Sequence, residues 1–489
     1  MTQPSNNNDI SSSFTQWSWA SPKQKIGISV TILISALAIF APEVLPINSV
    51  ILAISLMTVL CLIRVPVPIA LITGALIGSL NSGLSVQDSM TAINNNIASG
   101  AQVGMTYIMI GAFAVALSRS GILDLFANKV SMATDNGISH TKLKWGLFSI
   151  FIIASLMSQN LIPVHIAFIP VMIPPLLSTF NRLKLDRRAI ACVIACSISI
   201  SYLLLPTGFG AIYLFEILLP SFNSASESYD VTIEASQVPK AMFIPVMGIL
   251  AGMLVAVFIS YRKPREYDNN ITKRYNFKSE KTNLDFKGLV FTLLAIIATV
   301  VCQLWLDSLF LGAMLGFIIL SFSGVFTWNQ QDDVFTEGMR MMVQVAVIIT
   351  IAAGFAGALN ATGEIPALIE ATQELVGDNR NIAALLMLLV GLFITIGFGD
   401  SFASVPILAP IYVPLAWSLG FSPEAAIALL GASAALGDAG SPASTISLGV
   451  TSGLNADGQH DHVNDSVIPT FLHANVGMVI FAWIAVVVL

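Results

Sequence analysis

The sequence predicts an all-α polytopic membrane protein built from two inverted repeats, with about 11 transmembrane helices, two re-entrant hairpins and two unwound helices. Three observations carry this reading. Of 489 residues 55% are hydrophobic and only 10% charged, with a mean hydropathy of +0.81, where soluble domains carry roughly 25% charged residues. Solid apolar runs recur along the chain, each about long enough to cross a hydrocarbon layer of about 30 Å, and they lack the alternation of a membrane barrel. Glycine and proline interrupt those runs at matched positions in two halves.

In chain order, residues 1–25 are polar, rich in Asn and Ser, and read as a disordered cytoplasmic tail. Residues 26–65 hold two helices, 26–41 and 48–63. A first repeat, 66–219, contains spans 66–82 and 99–119, a hairpin (144–157 and 161–179) and a broken span 189–219. Residues 220–307 connect the halves through spans 240–260 and 287–304 and a basic loop. A second repeat, 308–450, contains 308–325, 339–360, a hairpin (382–398 and 403–418) and a broken span 424–450. A loop and a last helix, 467–489, complete residues 451–489.

Charge sets the orientation. Twenty of the 22 Lys and Arg residues fall on one side if each hairpin enters and leaves by the same face. Lys240 and Arg380 are the exceptions, beside the acidic loops 221–239 and 361–381. Basic loops stay cytoplasmic, so the N-terminus is expected in the cytoplasm of a multi-pass protein of the cytoplasmic (inner) membrane.

The repeat is readable in the residues. "GAFAVALSRSG" (111–121) matches "AGFAGALNATG" (353–363) at an offset of 242. At an offset of 236, Pro170, Pro174 and Pro206 match Pro406, Pro410 and Pro442. The first copy starts from the cytoplasm and the second from outside, an inversion found with secondary transporters whose sites lie where broken helices meet.

Four breaks emerge: "SQNLIPVH" (158–165), "LPTGFG" (205–210), "GFGDSFAS" (397–404) and "GDAGSPAS" (437–444). Each frees backbone groups and surrounds them with short polar side chains. Freed carbonyls suit a small cation and freed N–H groups an anionic moiety. Candidate binding residues are Ser158, Gln159, Asn160 and His165 at one tip, Asp400 and Ser401 at the other, and Thr207, Gly208, Asp438, Ser441 and Ser444 at the unwound helices. Asp400 and Asp438 are acids at membrane depth, where ionisable groups mark ion paths. A carboxylate there could coordinate Na+, near Asn160, Asp438 and Ser441, carry a proton, or cap a half-helix. His165 reads equally as a titrating or a hydrogen-bonded structural group.

Other polar features read more simply. Glu216 is an interfacial residue, Arg119 and Asp124 a solvated pair, "DGQHDHVND" (457–465) a solvated loop, and Cys192 with Cys196 helix packing. Phosphate loops and basic grooves are missing from the sequence, so nucleotide and nucleic-acid partners are not expected. The expected partners are the bilayer and a small solute or cation, with a homodimer left open. No cofactor is expected beyond Na+ or H+ as coupling ion, and no enzymatic activity; an intramembrane hydrolase using Ser158 and His165 is a remote alternative.

The stretches "SQNLIPVHIAFIPVMIPPLL", "LDRRAIACVI", "LLLPTGFG", "GDSFASVPI", "LGASAALGDAGSPAS" and "TSGLNADGQHDH" resemble the Na+/H+ antiporter family of the ion transporter superfamily, in particular its YuiF-like members, from about Leu52 to Leu489. The resemblance implies an elevator-like ion transporter fold and Na+ or H+ coupling. YuiF-like members also resemble amino-acid carriers with histidine as the proposed substrate, so a Na+- or H+-driven amino-acid permease is the alternative. Where the NhaC-like branch continues its "GD-x-x-SP-x-S" stretch with Asp-Thr-Thr, this chain has Thr445, Ile446 and Ser447, and one cation-liganding acid is missing.

Overall fold

The computed structural model describes residues 22–40, 47–121, 139–160, 169, 172–274, 286–306, 308–377 and 379–489. Most of the polar tail expected over 1–25, Asp124 and the tip residue His165 lie outside them. All regular structure among the described residues is helical: α1 (Pro22–Phe40), α2 (Ser49–Leu62), α3 (Val67–Asn81), α4 (Val86–Arg119), α5 (His140–Asn160), α6 (Arg187–Leu204) and α7 (209–226), then α8 (Gln237–Ser260), α9 (Phe286–Leu306), α10 (Leu309–Ser321), α11 (Gln331–Ala361) and α12 (Ile365–Val376). They continue with α13 (Arg380–Phe398), α14 (Ser401–Ser418), α15 (Pro423–Ala435), α16 (Thr445–Leu454) and α17 (His462–Val488). Nine of the described helices are long and apolar enough to cross a bilayer, including both arms of the second hairpin, α13 and α14.

Local chemistry sets the helix starts. Side chains of Asn48, Ser85, Asp186, Ser422 and Ser444 accept the free N–H groups that begin α2, α4, α6, α15 and α16. The Ser85 cap starts α4 thirteen residues before the expected 99, so its first turns carry polar Asn and Ser residues out of the apolar run. α4 and α11 pack against each other along most of their length. Small residues permit it: a Cβ on Gly100 would stand 2.7 Å from the Ile349 carbonyl, and one on Gly104 2.9 Å from the Ala346 carbonyl. Gly357 lies against Asn96 and Gly338 against Gly111, so these repeat-matched helices run antiparallel, as an inverted pair must.

Side-chain contacts sort the bundle into two ends. Ser49 with Glu364, Trp417 with Ser226 and Gln237 with Glu424 join one end. Arg119 with Glu337, Arg187 with Asp457 and Arg265 with Asp465 join the other. Lys240 and Arg380, the two bases expected on the outer side, begin helices at the first end, whereas Arg182, Lys184, Arg187, Arg188, Arg262 and Arg265, expected on the cytoplasmic side, gather at the second.

Arg119, half exposed as expected of a solvated group, is paired with Glu337 at 2.6 Å because the end of α4 lies beside the start of α11, while its expected partner Asp124 lies outside the described residues. One expectation is corrected. "DGQHDHVND" is no solvated loop: Asp457 and His460 are 1% and 2% exposed. Arg187, itself fully buried, reaches both Asp457 carboxylate oxygens at 2.7 Å, and Thr272 donates to the same carboxylate at 2.6 Å. Tertiary packing of the 455–461 turn over the start of α6 turns a polar stretch into a buried ion pair, which persists because both carboxylate oxygens are bonded.

Candidate ion and solute site

α15 stops at Ala435 and α16 begins at Thr445, and the chain between them is unwound. Asp438 sits in this gap at 6% exposure. Three hydroxyls converge on its carboxyl group. Ser401 Oγ and Tyr202 Oη donate to Oδ2 at 2.6 and 2.7 Å, and Ser444 Oγ to Oδ1 at 3.0 Å. Tyr202 and Ser401 are themselves 2.6 Å apart, so three oxygens form a closed triangle.

Each donor is placed by an element end. Ser401 opens α14 because the tip of the hairpin turns in two residues, Gly399 and Asp400. Gly399 has φ +63°, and a Cβ there would stand 2.7 Å from Ser444 N, so the tip is wedged against the α15–α16 gap. Asp400, partly exposed, accepts from Ala403 N at 2.9 Å and caps α14. Ser441 Oγ donates to the Ile396 carbonyl at 2.9 Å, tying the gap to the hairpin. Ser444 both caps α16 and faces Asp438.

The matching gap in the first half lies between α6 and α7. Gly208 has φ +57° and ψ −131°, a conformation open to glycine alone, and its N–H donates to Gln303 Oε1 at 3.1 Å. Thr207 is half-buried beside it, its carbonyl accepting from Gly210 N.

A cavity of about 40 Å³ joins these parts, lined among others by Tyr107, Gln159, Tyr202, Asp400, Phe402 and Asp438. That space is narrow and polar on one side, and suits a bare cation or a few waters. Phe402 is packed by Tyr107, Tyr202 and Tyr213, with ring centroids 5.4–5.5 Å away.

Of the sequence candidates, Gln159, Asp400, Ser401, Asp438 and Ser444 meet at or beside this cavity. Ser158 is buried and donates to Ser155 within its own helix at 2.8 Å. Asn160 ends α5, and neither its side chain nor His165 is among the described groups. Among the described residues no three His, Cys, Asp or Glu side chains cluster to hold a metal. The sequence reading missed Tyr202, Tyr107, Phe402 and Gln303. One signal for Tyr202 was present: the 236-residue offset that pairs Pro206 with Pro442 also pairs Tyr202 with Asp438.

The description "Na+/H+ antiporter family" matches residues 193–484, and a second, "Na+-H+ antiporter family", matches 48–134. The chain belongs to the Na+/H+ antiporter family. This antiporter-family protein is similar to a membrane protein of Vibrio parahaemolyticus, 46% identical over 90% of this chain and 100% of the relative. It is 44% identical to a membrane protein of Haemophilus influenzae over 90% of this chain and 98% of that one. It is 43% identical to the putative amino acid transporter YuiF of Bacillus subtilis, over 90% of this chain and 100% of that one. Two solved structures share the fold at 15% identity. The YdaH transporter of Alcanivorax borkumensis has a TM-score of 0.52, over 82% of this chain and 87% of its own. MtrF of Neisseria gonorrhoeae, from a class of antimetabolite efflux pumps, has 0.57, over 86% and 94%. The antiporter-family protein is thus a polytopic membrane protein and a secondary transporter.

Proposed function

We propose that this protein is a Na+- or H+-coupled, elevator-like transporter of the cytoplasmic membrane in which Asp438 carries the coupling cation. The single observation behind this is a buried carboxyl group at a helix break, held by hydroxyls from both halves: Tyr202 from the first, Ser401 and Ser444 from the second. The geometry favours a proton in this conformation. With Tyr202 and Ser401 both donating to Oδ2, neither keeps a hydrogen for the 2.6 Å edge between them. When Oδ2 is protonated and donates to one hydroxyl, that hydroxyl is released to donate to the other, and all three short edges carry a hydrogen. Neutralising Asp438 lowers the cost of carrying the hairpin α13–α14 and the gap across hydrocarbon. Asp438→Asn, neutral at every pH, is expected to abolish coupled transport in proteoliposomes; unchanged uptake with unchanged cation dependence would defeat the assignment.

The second reading is amino-acid uptake driven by the same cation, and the likeness to YuiF, described as a putative amino acid transporter, favours it. Labelled histidine uptake with and without an imposed Na+ or H+ gradient separates this from plain cation exchange.

A further inference from the structure

A larger cavity, about 230 Å³, opens on the end of the bundle marked by Ser49, Glu364 and Ser226. α4, α7, α11 and α14 enclose it. Its polar wall is made of Glu216, Asn96, Asn360, Ser99, Ser221 and Ser224, and among the described residues no Lys or Arg lines it. The wall is rich in acceptors. Asn96 Nδ2 gives one of its two hydrogens to the Ala92 carbonyl at 2.8 Å, and its Oδ1 is able to accept. Ser99 Oγ gives its hydrogen to the Asn96 carbonyl at 3.0 Å and keeps its lone pairs. Glu216 forms no ion pair with a described Lys or Arg. The same end of the bundle carries Asp88, Glu227, Asp230, Glu234 and Glu364 with Lys240 and Arg380, an excess of acid, and acceptors in a recess of low dielectric concentrate positive charge.

The cavity stands directly over the Asp438 site. Val103 and Pro406 line it, while Tyr107 and Phe402, one turn further along the same two helices, line the inner cavity. The rings of Tyr107 and Phe402, 5.5 Å apart, sit at that step.

We propose that this recess is a loading vestibule in which Glu216, with Asn96, Asn360 and Ser221, selects the cationic group of an incoming solute, a monovalent cation or the ammonium of a small zwitterion, and rejects anions. The recess is several times larger than the inner cavity and gives a small amino acid more room. Only the onward path to Asp438 rests on the proposed function; charge selection at the mouth does not.

The four native cysteines are buried, so Ser221→Cys in the full chain supplies a single accessible thiol. In proteoliposomes its modification by a trimethylammonium-ethyl methanethiosulfonate is expected to outpace that by the sulfonatoethyl reagent by about tenfold or more, after normalising to a free thiol in solution. Adding Glu216→Gln is expected to bring the two rates within about twofold of each other. Equal rates in the single variant, a preference that survives Glu216→Gln, or no modification at all would each overturn the proposal. Ser224→Cys repeats the measurement if Ser221→Cys fails to insert. Asp438→Asn is expected to leave the ratio unchanged even where transport is lost, so this test stands apart from the previous one.

Discussion

His460 lies in the turn before α17, its Nε2 2.8 Å from Ser466 Oγ. Burial, opposed by Asp465 and reinforced by Arg187 and Arg265, lowers its pKa to about 4. The folded chain keeps this imidazole neutral while the unfolded chain protonates it below roughly pH 6.5. The unfolded state therefore binds more protons between those values, and stability falls as pH drops through that window, by up to about 1.4 kcal/mol per pH unit. Detergent-solubilised protein is expected to lose thermal stability from pH 6.5 toward 4, and His460→Gln to flatten that slope; an unchanged slope would show that other groups dominate. Asp457 contrasts with it. Burial raises its carboxyl, but hydrogen bonds from Arg187 and Thr272 and the Arg187 charge outweigh this and hold it below the ordinary range. Its contribution is present at neutral pH and fades only as pH falls through that lowered value.

Among the elements, the two unwound helices depend on backbone that only particular residues accept. Gly208→Ala would force a side chain into φ +57°, ψ −131°, at a cost of about 1–3 kcal/mol, and would draw the 205–208 gap away from Gln303. Reconstituted Gly208→Ala protein is expected to insert but to transport several-fold more slowly; wild-type rates would mean the gap's shape is immaterial to turnover. The gaps were legible in the sequence because glycine, proline and hydroxyls cluster there against apolar surroundings, and so were Asp438, Ser401 and Ser444. Tyr202 was hidden because a tyrosine in an apolar run reads as packing until its partner is known. The start of α4 was also hidden, since hydropathy follows lipid contact and this helix extends beyond its apolar part. The buried turn 455–461 could not be read locally, because Arg187, which neutralises it, lies 270 residues away from Asp457.

For the whole molecule, bases gather at the Arg187 end, several of them paired with acids there, and are sparse at the Glu364 end, which the positive-inside rule turns into an orientation. Both Lys142 and Glu370 are exposed, at opposite ends of that axis. In intact cells an impermeant maleimide is expected to label Glu370→Cys at once and Lys142→Cys only after permeabilisation; the reverse pattern would invert the topology.

The phenol of Tyr202 and the carboxyl of Asp438 occupy equivalent places in the two halves and touch each other. A dimer of two first halves would set phenol against phenol, and a dimer of two second halves would bring two acids together with only serine hydroxyls to answer them. Joining unlike halves in one polypeptide gives every acid a single phenolic counterpart, a division of labour that neither half could reproduce by self-association.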